Sequence, residues 1–346
     1  MNAPKQKIGL VGLGMALRPH LKSLHDLSDQ VDIGAAWTPS PHRREAAARD
    51  LGLPVADTLE ALLADPDIGS VLLLTPPLTH LDLIGRCAAA GKHVLVEKPL
   101  DVSTDRALQA IRLMEDAGLR LGVVLQHRFR PAAMALRTLM RAGELGRLVS
   151  ASASIRWWRT PAYYAEPGRG MLARDGGGVL LTQAIHTLDL LLDLAGPVRR
   201  ITALTRNAGL RATDTEDIAC GAVEFDNGAI GSIDATTVSY PGFPERIELA
   251  CERGTAVMTG EALDVYRQDG RREHVDPPAF ERDSSDPMAF DHGAHRAVIQ
   301  DFLDSTRTDR PPMAHGRSAL RVQSLIEGFL QSSERQCAVT LSDHSR

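Results

Sequence analysis

The chain has only 4 cysteines in 346 residues, Cys87, Cys220, Cys251 and Cys337, and no pair of them shows CxxC spacing. That spacing excludes a zinc knuckle or a thioredoxin-type motif, and it fits buried free thiols in a reducing compartment. Positive charge is not concentrated either. The net charge is −5, and the basic pairs Arg43–Arg44, Arg199–Arg200 and Arg271–Arg272 are scattered, which leaves no stripe suited to nucleic acid. No run reaches the roughly 18–20 apolar residues of a membrane span. Lys5 and Lys7 precede the apolar segment IGLVGLGMAL, but no small-residue cleavage site follows. The expected location is the cytoplasm. HExxH and GxSxG are both missing, which removes the usual metalloprotease and hydrolase signatures. Asp291, His292 and His295 open the segment DHGAHRAVIQDFL, where Asp291 suits a helix N-cap. With no further ligands near them in sequence, no metal is expected.

What is present is alternation. From Lys7 to about Val124, short apolar runs (Ile8 to Leu13, Val31 to Trp37, Gly69 to Leu74, His93 to Glu97, Leu121 to Leu125) alternate with helical patterns. A short strand is expected at Val55, and Asp57 with Glu60 reads as a capping box. Thr79 reads as the N-cap of the helix that ends at Gly91. Such alternation predicts a parallel sheet with helices on both faces. Gly12-Leu-Gly14-Met15-Ala16-Leu17 joins the first strand to the first helix. Glycines there allow a sharp turn and close approach of a pyrophosphate to the helix N-terminus.

Ligands of such sheets sit beyond the carboxyl ends of the strands. After the second strand come Trp37-Thr38-Pro39-Ser40-Pro41-His42-Arg43-Arg44, with no carboxylate to bind ribose hydroxyls. Thr38, Ser40 and Arg43 favour a 2′-phosphate, hence NADP over NAD. Leu74-Thr75-Pro76-Pro77 stops the next strand, with His80 opening a helix. GKHVLVEKPL, from Gly91 to Leu100, is a helix end, a buried strand and then Glu97-Lys98-Pro99. The proline stops the ladder there and leaves the Lys98 ammonium at the ligand edge. Gln126-His127-Arg128-Phe129 follows the last strand. The division expected is a dinucleotide-binding domain over 1–125 and a substrate-binding and oligomerisation domain over 126–346.

The second half is β-rich, with strands expected from Leu148 to Trp157 onward and a hairpin at Asn227-Gly228. An open sheet whose exposed face carries Ile218, Val223, Ile230 and Ile233 predicts a homodimer or homotetramer. One helix interrupts the strands, in the segment from Asp175-Gly-Gly-Gly178 on to Leu194, closed by Gly196-Pro197. At about 100° per residue, Thr182, His186, Asp189 and Asp193 share a stripe. His186 is the side chain there suited to moving a proton near neutral pH. Trp157-Trp158-Arg159, Tyr163-Tyr164 and Arg169 gather aromatics and cations in one irregular segment, which suits a polar, anionic or sugar-like small molecule.

GLVGLG, TPP with His80, GKHVLVEKP, QHRF, DGGGVLLTQAIHTLD and EFDNGAIGSI, in that order, resemble the Gfo/Idh/MocA oxidoreductases over nearly the whole chain. The resemblance implies an N-terminal Rossmann parallel sheet and a C-terminal α/β domain with a large open, mainly antiparallel sheet. It implies an NAD(P)-dependent enzyme in which Lys98 lies beside the nicotinamide and His186 is the acid/base. The cofactor set then comprises Gly12, Gly14, Met15, Ala16, Thr38, Ser40, Arg43, Thr75, Pro76, His80, Glu97, Lys98 and Gln126. Arg128, Trp158, Tyr164, Arg169, Thr182 and Gln183 would face the substrate. The family often has Asp four residues before the histidine, where this chain has Thr182. Substrates implied are a sugar, polyol, sugar acid or cyclic diol. Within the same resemblance, a nucleotide-sugar-acid 3-dehydrogenase, an NAD-dependent glycosidase and a nucleotide-sensing regulator are the alternatives.

Overall fold

The computed structural model describes residues 4–277 and 292–342; Asp291, the expected N-cap, lies outside them. The chain forms two compact units. In the first, β1 (Gln6–Val11), β2 (Val31–Trp37), β3 (Ile68–Leu73), β4 (His93–Val96) and β5 (Leu121–Val123) make a five-stranded sheet in the order β2-β1-β3-β4-β5. All its pairings are parallel, which requires a crossover between successive strands. Helices α1 (Leu17–Asp26), α2 (Pro41–Leu51), α3 (Leu59–Ala64), α4 (His80–Ala89) and α5 (Thr104–Asp116) supply them. Val71, Leu72 and Leu73 are fully buried, as expected of strands covered on both faces. Val55 forms only a single bridge, to Ala36. Two caps differ from expectation. Thr58, not Asp57, accepts the Ala61 amide at the start of α3. Thr79 makes no cap, because its hydroxyl bonds Pro76 O, and Asp101 accepts the Leu81 amide instead.

The second unit contains α6 (Pro131–Arg141), β6 (Leu148–Arg156), α7 (Leu172–Asp175), α8 (Ile185–Ala195) and β7 (Val198–Arg206). It continues through β8 (Ile218–Phe225), β9 (Ile230–Thr236), β10 (Arg246–Cys251), β11 (Gly254–Thr259), β12 (Ala262–Arg267) and β13 (Arg272–Val275). These strands form one large sheet, antiparallel except for the β6–β9 pair. One face is buried, through residues such as Ile155, Ile201, Phe225 and Leu249, with α8 packed against β6 and β10. The other face is not as expected. Val223 and Ile233 are 3% and 1% exposed, while Ile230 is 65% exposed. Successive strand residues alternate faces. Ile230 and Ile233, three apart, therefore point opposite ways, as do Ile218 and Val223. Leu204 joins Ile230 on the outer face.

The linear division into two consecutive domains also meets a return. After residue 292 the chain rejoins the first unit as α9 (Gly293–Arg307), which packs on α1. Phe302 of α9 is fully buried, and a Cβ on Gly122 would lie 3.1 Å from its ring. Then α10 (Gly316–Arg335) carries the chain back to the second unit, where β14 (Val339–Thr340) pairs with the edge strand β7. Residues 172–195 are, by length and composition, apolar enough to cross a membrane, although Arg174, Asp175, Asp189 and Asp193 keep them from being one apolar run; an 18-residue window within them is 89% buried within the protein, as a core helix would be.

Candidate active site

The carboxyl ends of the five parallel strands gather Gly12, Thr38, Thr75, Lys98 and Gln126 along one edge of one sheet. The sheet order reverses between β1 and β3, where such folds open a ligand crevice. Gly12 sits at that point with φ +100°, and a Cβ there would lie 2.7 Å from the main chain of Leu74. Gly14 has nothing within 4 Å of where a Cβ would be, so the backbone is open to a close-approaching group. Helix α1 follows with no side-chain cap and no acid in its first turn, a helix N-terminus of the kind that receives anions. Leu17, standing where many such turns have glycine or alanine, is 6% exposed and packs inward. Met15 is 62% exposed beside the turn.

At the end of β2, Ser40 caps α2, its hydroxyl accepting from the Arg43 amide at 3.4 Å. Arg44 donates to the Thr38 carbonyl at 2.7 Å, and the Arg43 side chain is exposed. The arginine tied to the chain is thus Arg44, and the one directed to solvent is Arg43.

His80 lies apart from the role expected of it. It is fully buried, with Nε2 2.9 Å from Thr75 O and Nδ1 3.1 Å from both Pro99 O and Leu100 O. Its ring clamps the turn after β3 to the turn after β4 and offers no free nitrogen to a cofactor. Burial lowers its pKa against the pull of those carbonyls, so a neutral ring donating one hydrogen bond is the favoured form. Lys98 is half-buried at the end of β4, and its amide donates to Glu97 Oε2 at 3.1 Å. The other Glu97 oxygen receives His20 Nε2 at 2.7 Å. Although burial opposes it, hydrogen bonding from His20 and the charges of His20, His295 and Lys98 hold the Glu97 carboxyl below the usual glutamate range. Gln126 Oε1 is buried without a hydrogen-bond partner among the described residues.

In the second unit the glycine run has a clear cause. A Cβ on Gly178 would lie 1.9 Å from Glu216 O, so the close neighbour at the helix start is the chain itself. Glu216 caps that start, its two carboxylate oxygens each 3.1 Å from the amides of Gly178 and Leu180. Burial pushes this carboxyl up, against those hydrogen bonds. Residues Leu180–Ala184 form a π-helical turn before α8. The wider turn breaks the 100° register, so Thr182 and His186 no longer continue one regular stripe.

Nor is the stripe a wet face. Asp189 is fully buried against Arg128, whose Nε donates to Oδ2 at 2.7 Å and whose Nη2 pairs with Oδ1. Asp193 pairs with Arg137, Nε to Oδ2 2.8 Å, and lies 3.7 Å from Arg128 Nη1. Arg128, expected at the substrate, is committed to holding α8. His186 is 9% exposed and stacks on His127, ring centroids 5.0 Å apart. The Thr182 hydroxyl donates to Gly178 O at 2.7 Å.

The aromatic segment divides in two. Trp158 and Tyr164 flank Arg211 at 5.2 and 5.0 Å, and Arg211 is bonded to the Thr237 carbonyl at 2.9 Å. That half braces the sheet edge. The other half is Tyr163, with Arg169 and Arg159 over its ring at 4.4 and 5.4 Å and its hydroxyl 3.4 Å from Gln183 Nε2. Arg169 also pairs with Glu166. Tyr163 therefore joins the loop to Gln183, whereas Tyr164, the tyrosine expected at the substrate, packs on Arg211.

Comparison with known proteins bears directly on this arrangement. Residues 6–125 match the oxidoreductase family with an NAD-binding Rossmann fold, and residues 133–257 match the Gfo/Idh/MocA C-terminal domain. The chain belongs to the Gfo/Idh/MocA oxidoreductase family. It is 26% identical to scyllo-inositol 2-dehydrogenase (NAD(+)) of Bacillus subtilis, over 89% of this chain and 88% of that one. It is 28% identical to D-xylose 1-dehydrogenase (NADP(+)) 2 of Haloferax volcanii, over 86% and 89%. The WlbA dehydrogenase of Bordetella pertussis, solved in complex with NADH and UDP-GlcNAcA, is similar in structure with a TM-score of 0.83 and 26% identity, covering 98% of this chain and 99% of that one.

As a Gfo/Idh/MocA oxidoreductase the chain is an NAD(P)-dependent dehydrogenase or reductase, and its residues fit that cofactor. The open backbone at Gly14 suits a pyrophosphate, and the orphaned Gln126 oxygen suits a donor from the nicotinamide half. Sequence reasoning missed His20, whose buried place on α1 shows as an apolar-face position three residues after Leu17. It also missed Glu216, for which no sequence signal existed.

Proposed function

We propose that this oxidoreductase moves hydride between nicotinamide and a secondary hydroxyl or carbonyl of a sugar-like substrate. The observation that carries the reading is Lys98 at the carboxyl end of β4, on the same sheet edge as the open glycine turn after β1. The nicotinamide, when bound, accepts or supplies the hydride. Oxidising a carbinol also releases the hydroxyl proton, and the oxygen gains negative charge as it leaves. His186, backed by His127, accepts that proton, and the Lys98 ammonium stabilises the oxygen. In reduction the same two groups return the proton and polarise the carbonyl. The Thr182 hydroxyl is held by Gly178 O, so His186 acts without an adjacent carboxylate four residues earlier.

On the substrate side, Gln183 and Tyr163, with Arg159 and Arg169 over the tyrosine ring, favour an anionic sugar. Arg159 Nε is buried without a hydrogen-bond partner among the described residues. This supports a sugar acid or nucleotide-sugar acid over a neutral polyol, and the relative that binds UDP-GlcNAcA is of that class. The missing carboxylate after β2 and the exposed Arg43 favour NADP. The outer sheet face, with Leu204 and Ile230, pairs with a second copy in a homodimer or homotetramer. The test is a screen of polyols, aldoses, sugar acids and cyclic diols with NAD and NADP, read as nicotinamide absorbance. On the best substrate, His186→Ala loses about 10²–10⁴-fold in kcat and Lys98→Met about 10²–10³-fold. Wild-type turnover by both variants would sink the assignment.

A further inference from the structure

His20, Glu97 and His295 form a buried cluster that the reaction above does not use. Glu97 follows β4 directly, His20 lies on α1 and His295 on α9, and their donor atoms all lie within 4.8 Å of one another. Both histidines are at least 95% buried, with rings edge to face at 5.3 Å between centroids. A metal site is one reading of two imidazoles and a carboxylate. Its geometry is unfavourable, because His20 Nε2 and Glu97 Oε1 are 2.7 Å apart. Ligands about 2.0–2.2 Å from one tetrahedral zinc stand farther from each other than that. The distance is that of a charge-assisted hydrogen bond. The second carboxylate oxygen is bound as well, by the amide of Lys98.

We infer that Glu97, oriented by His20 and backed by His295, is a fixed counter-ion beside Lys98 that keeps its ammonium charged. Glu97 is adjacent in sequence to the lysine and bonded to its amide, so its carboxylate has little freedom to leave. The charged groups facing it are His20 from α1, His295 from α9 and Lys98 itself. Coulombic coupling is mutual: Lys98 is one of the charges that lower the Glu97 carboxyl, after the His20 hydrogen bond, and a carboxylate beside a lysine favours its charged form in return. His20 and His295 are positioning residues, because they reach the reacting oxygen only through Glu97 and Lys98. The inference rests on the proposed role of Lys98 for its meaning in turnover, but not for its physical content.

The experiment therefore reads Lys98 directly. Lysines of the full-length protein are reductively methylated with ¹³C-formaldehyde, and the Lys98 resonance, assigned by its loss in Lys98→Arg, is titrated. In Glu97→Gln the Lys98 pKa falls by about one unit or more, the usual effect of removing an opposite charge at close range. The alkaline limb of the kcat/KM profile moves down with it. His20→Gln keeps a donor to Glu97 and retains the wild-type Lys98 pKa, whereas His20→Phe loses the donor and follows Glu97→Gln. Circular dichroism and melting temperature identify any variant that has merely unfolded; the isosteric Glu97→Gln is the decisive one. A Lys98 pKa unchanged in folded Glu97→Gln overturns the inference, as does one equivalent of metal retained by the wild-type protein and lost from that variant. If Lys98→Met keeps full activity, the functional reading fails while the titration result still stands.

Discussion

Replacing Arg128 with methionine separates a structural arginine from a substrate ligand. The Arg128 and Asp189 side chains are 4% and 1% exposed, and the pair is joined by two hydrogen bonds. Methionine fills much of the same volume but leaves the Asp189 carboxylate buried, with Asp193 as a like-charged neighbour. Breaking such a pair from one side costs about 3–5 kcal/mol, against a total stability of roughly 5–15 kcal/mol. At about 2–4 °C per kcal/mol for a unit of this size, the second unit melts roughly 10 °C lower.

The loss also depends on pH. Burial already pushes the Asp189 carboxyl up against the pull of Arg128. Without the arginine the carboxyl rises further, and protonation in the folded state relieves part of the penalty. A carboxyl raised on folding contributes its full advantage to the native state below its unfolded pKa and loses it as pH rises through the folded one. The deficit of Arg128→Met is therefore smaller at pH 5 than at pH 8. Adding Asp189→Leu, which removes the stranded charge, restores most of the stability. Scanning calorimetry at the two pH values, with KM on the best substrate, reads all of this. A variant with unchanged melting and a raised KM would refute the reasoning and return Arg128 to the substrate.

Gly12→Ala places a methyl 2.7 Å from the Leu74 main chain at φ +100°; NADH affinity by fluorescence titration falls more than about tenfold, since the strain is of order 1–3 kcal/mol. Arg43→Glu lowers the ratio of kcat/KM for NADP over NAD by about tenfold or more, the value of one charge-assisted hydrogen bond; an unchanged ratio places the phosphate elsewhere. With a thiol reagent and mass spectrometry, exposed Cys337 labels quickly in the native protein. Cys87, whose thiol burial pushes up to about 12, labels only on unfolding. Cys220, exposed on the outer sheet face, labels as fast as Cys337 in a monomer and is protected if a second copy covers that face. Glu216, raised by burial, makes the wild type lose stability as pH rises above the usual glutamate range. Glu216→Gln removes that slope in urea titrations from pH 4 to 8, and a slope left intact assigns it to other groups.

Much of this was legible in the chain. The alternation of apolar runs and helical patterns gave the parallel sheet, because strands covered on both faces must be apolar throughout. The glycine turn and Lys98 could be placed because they lie next to strand ends, where local sequence and position coincide. What local sequence could not carry was side-chain partnership across long separations. Arg128 is 61 residues from Asp189, so its commitment to α8 has no local signature, and an arginine beside a strand end looked like a ligand. His80 misled for the same reason, its partners being main-chain oxygens 19 and 20 residues away. The polar stripe failed on helix type, since a π turn leaves no periodic mark in five residues.

The return of α9 to the first unit bears on how the protein is made. Translation at about 5–20 residues per second leaves roughly 10–30 s between completion of β5 and the arrival of α9. Until then the side of the nucleotide unit that receives Phe302 and His295 stands uncovered on the ribosome. A nascent or truncated chain that stops before α9 would display that apolar surface to chaperones, and its Glu97 would lack the backing of His295. The cover of the first unit's core is thus completed late in synthesis, although all five of its strands are encoded early.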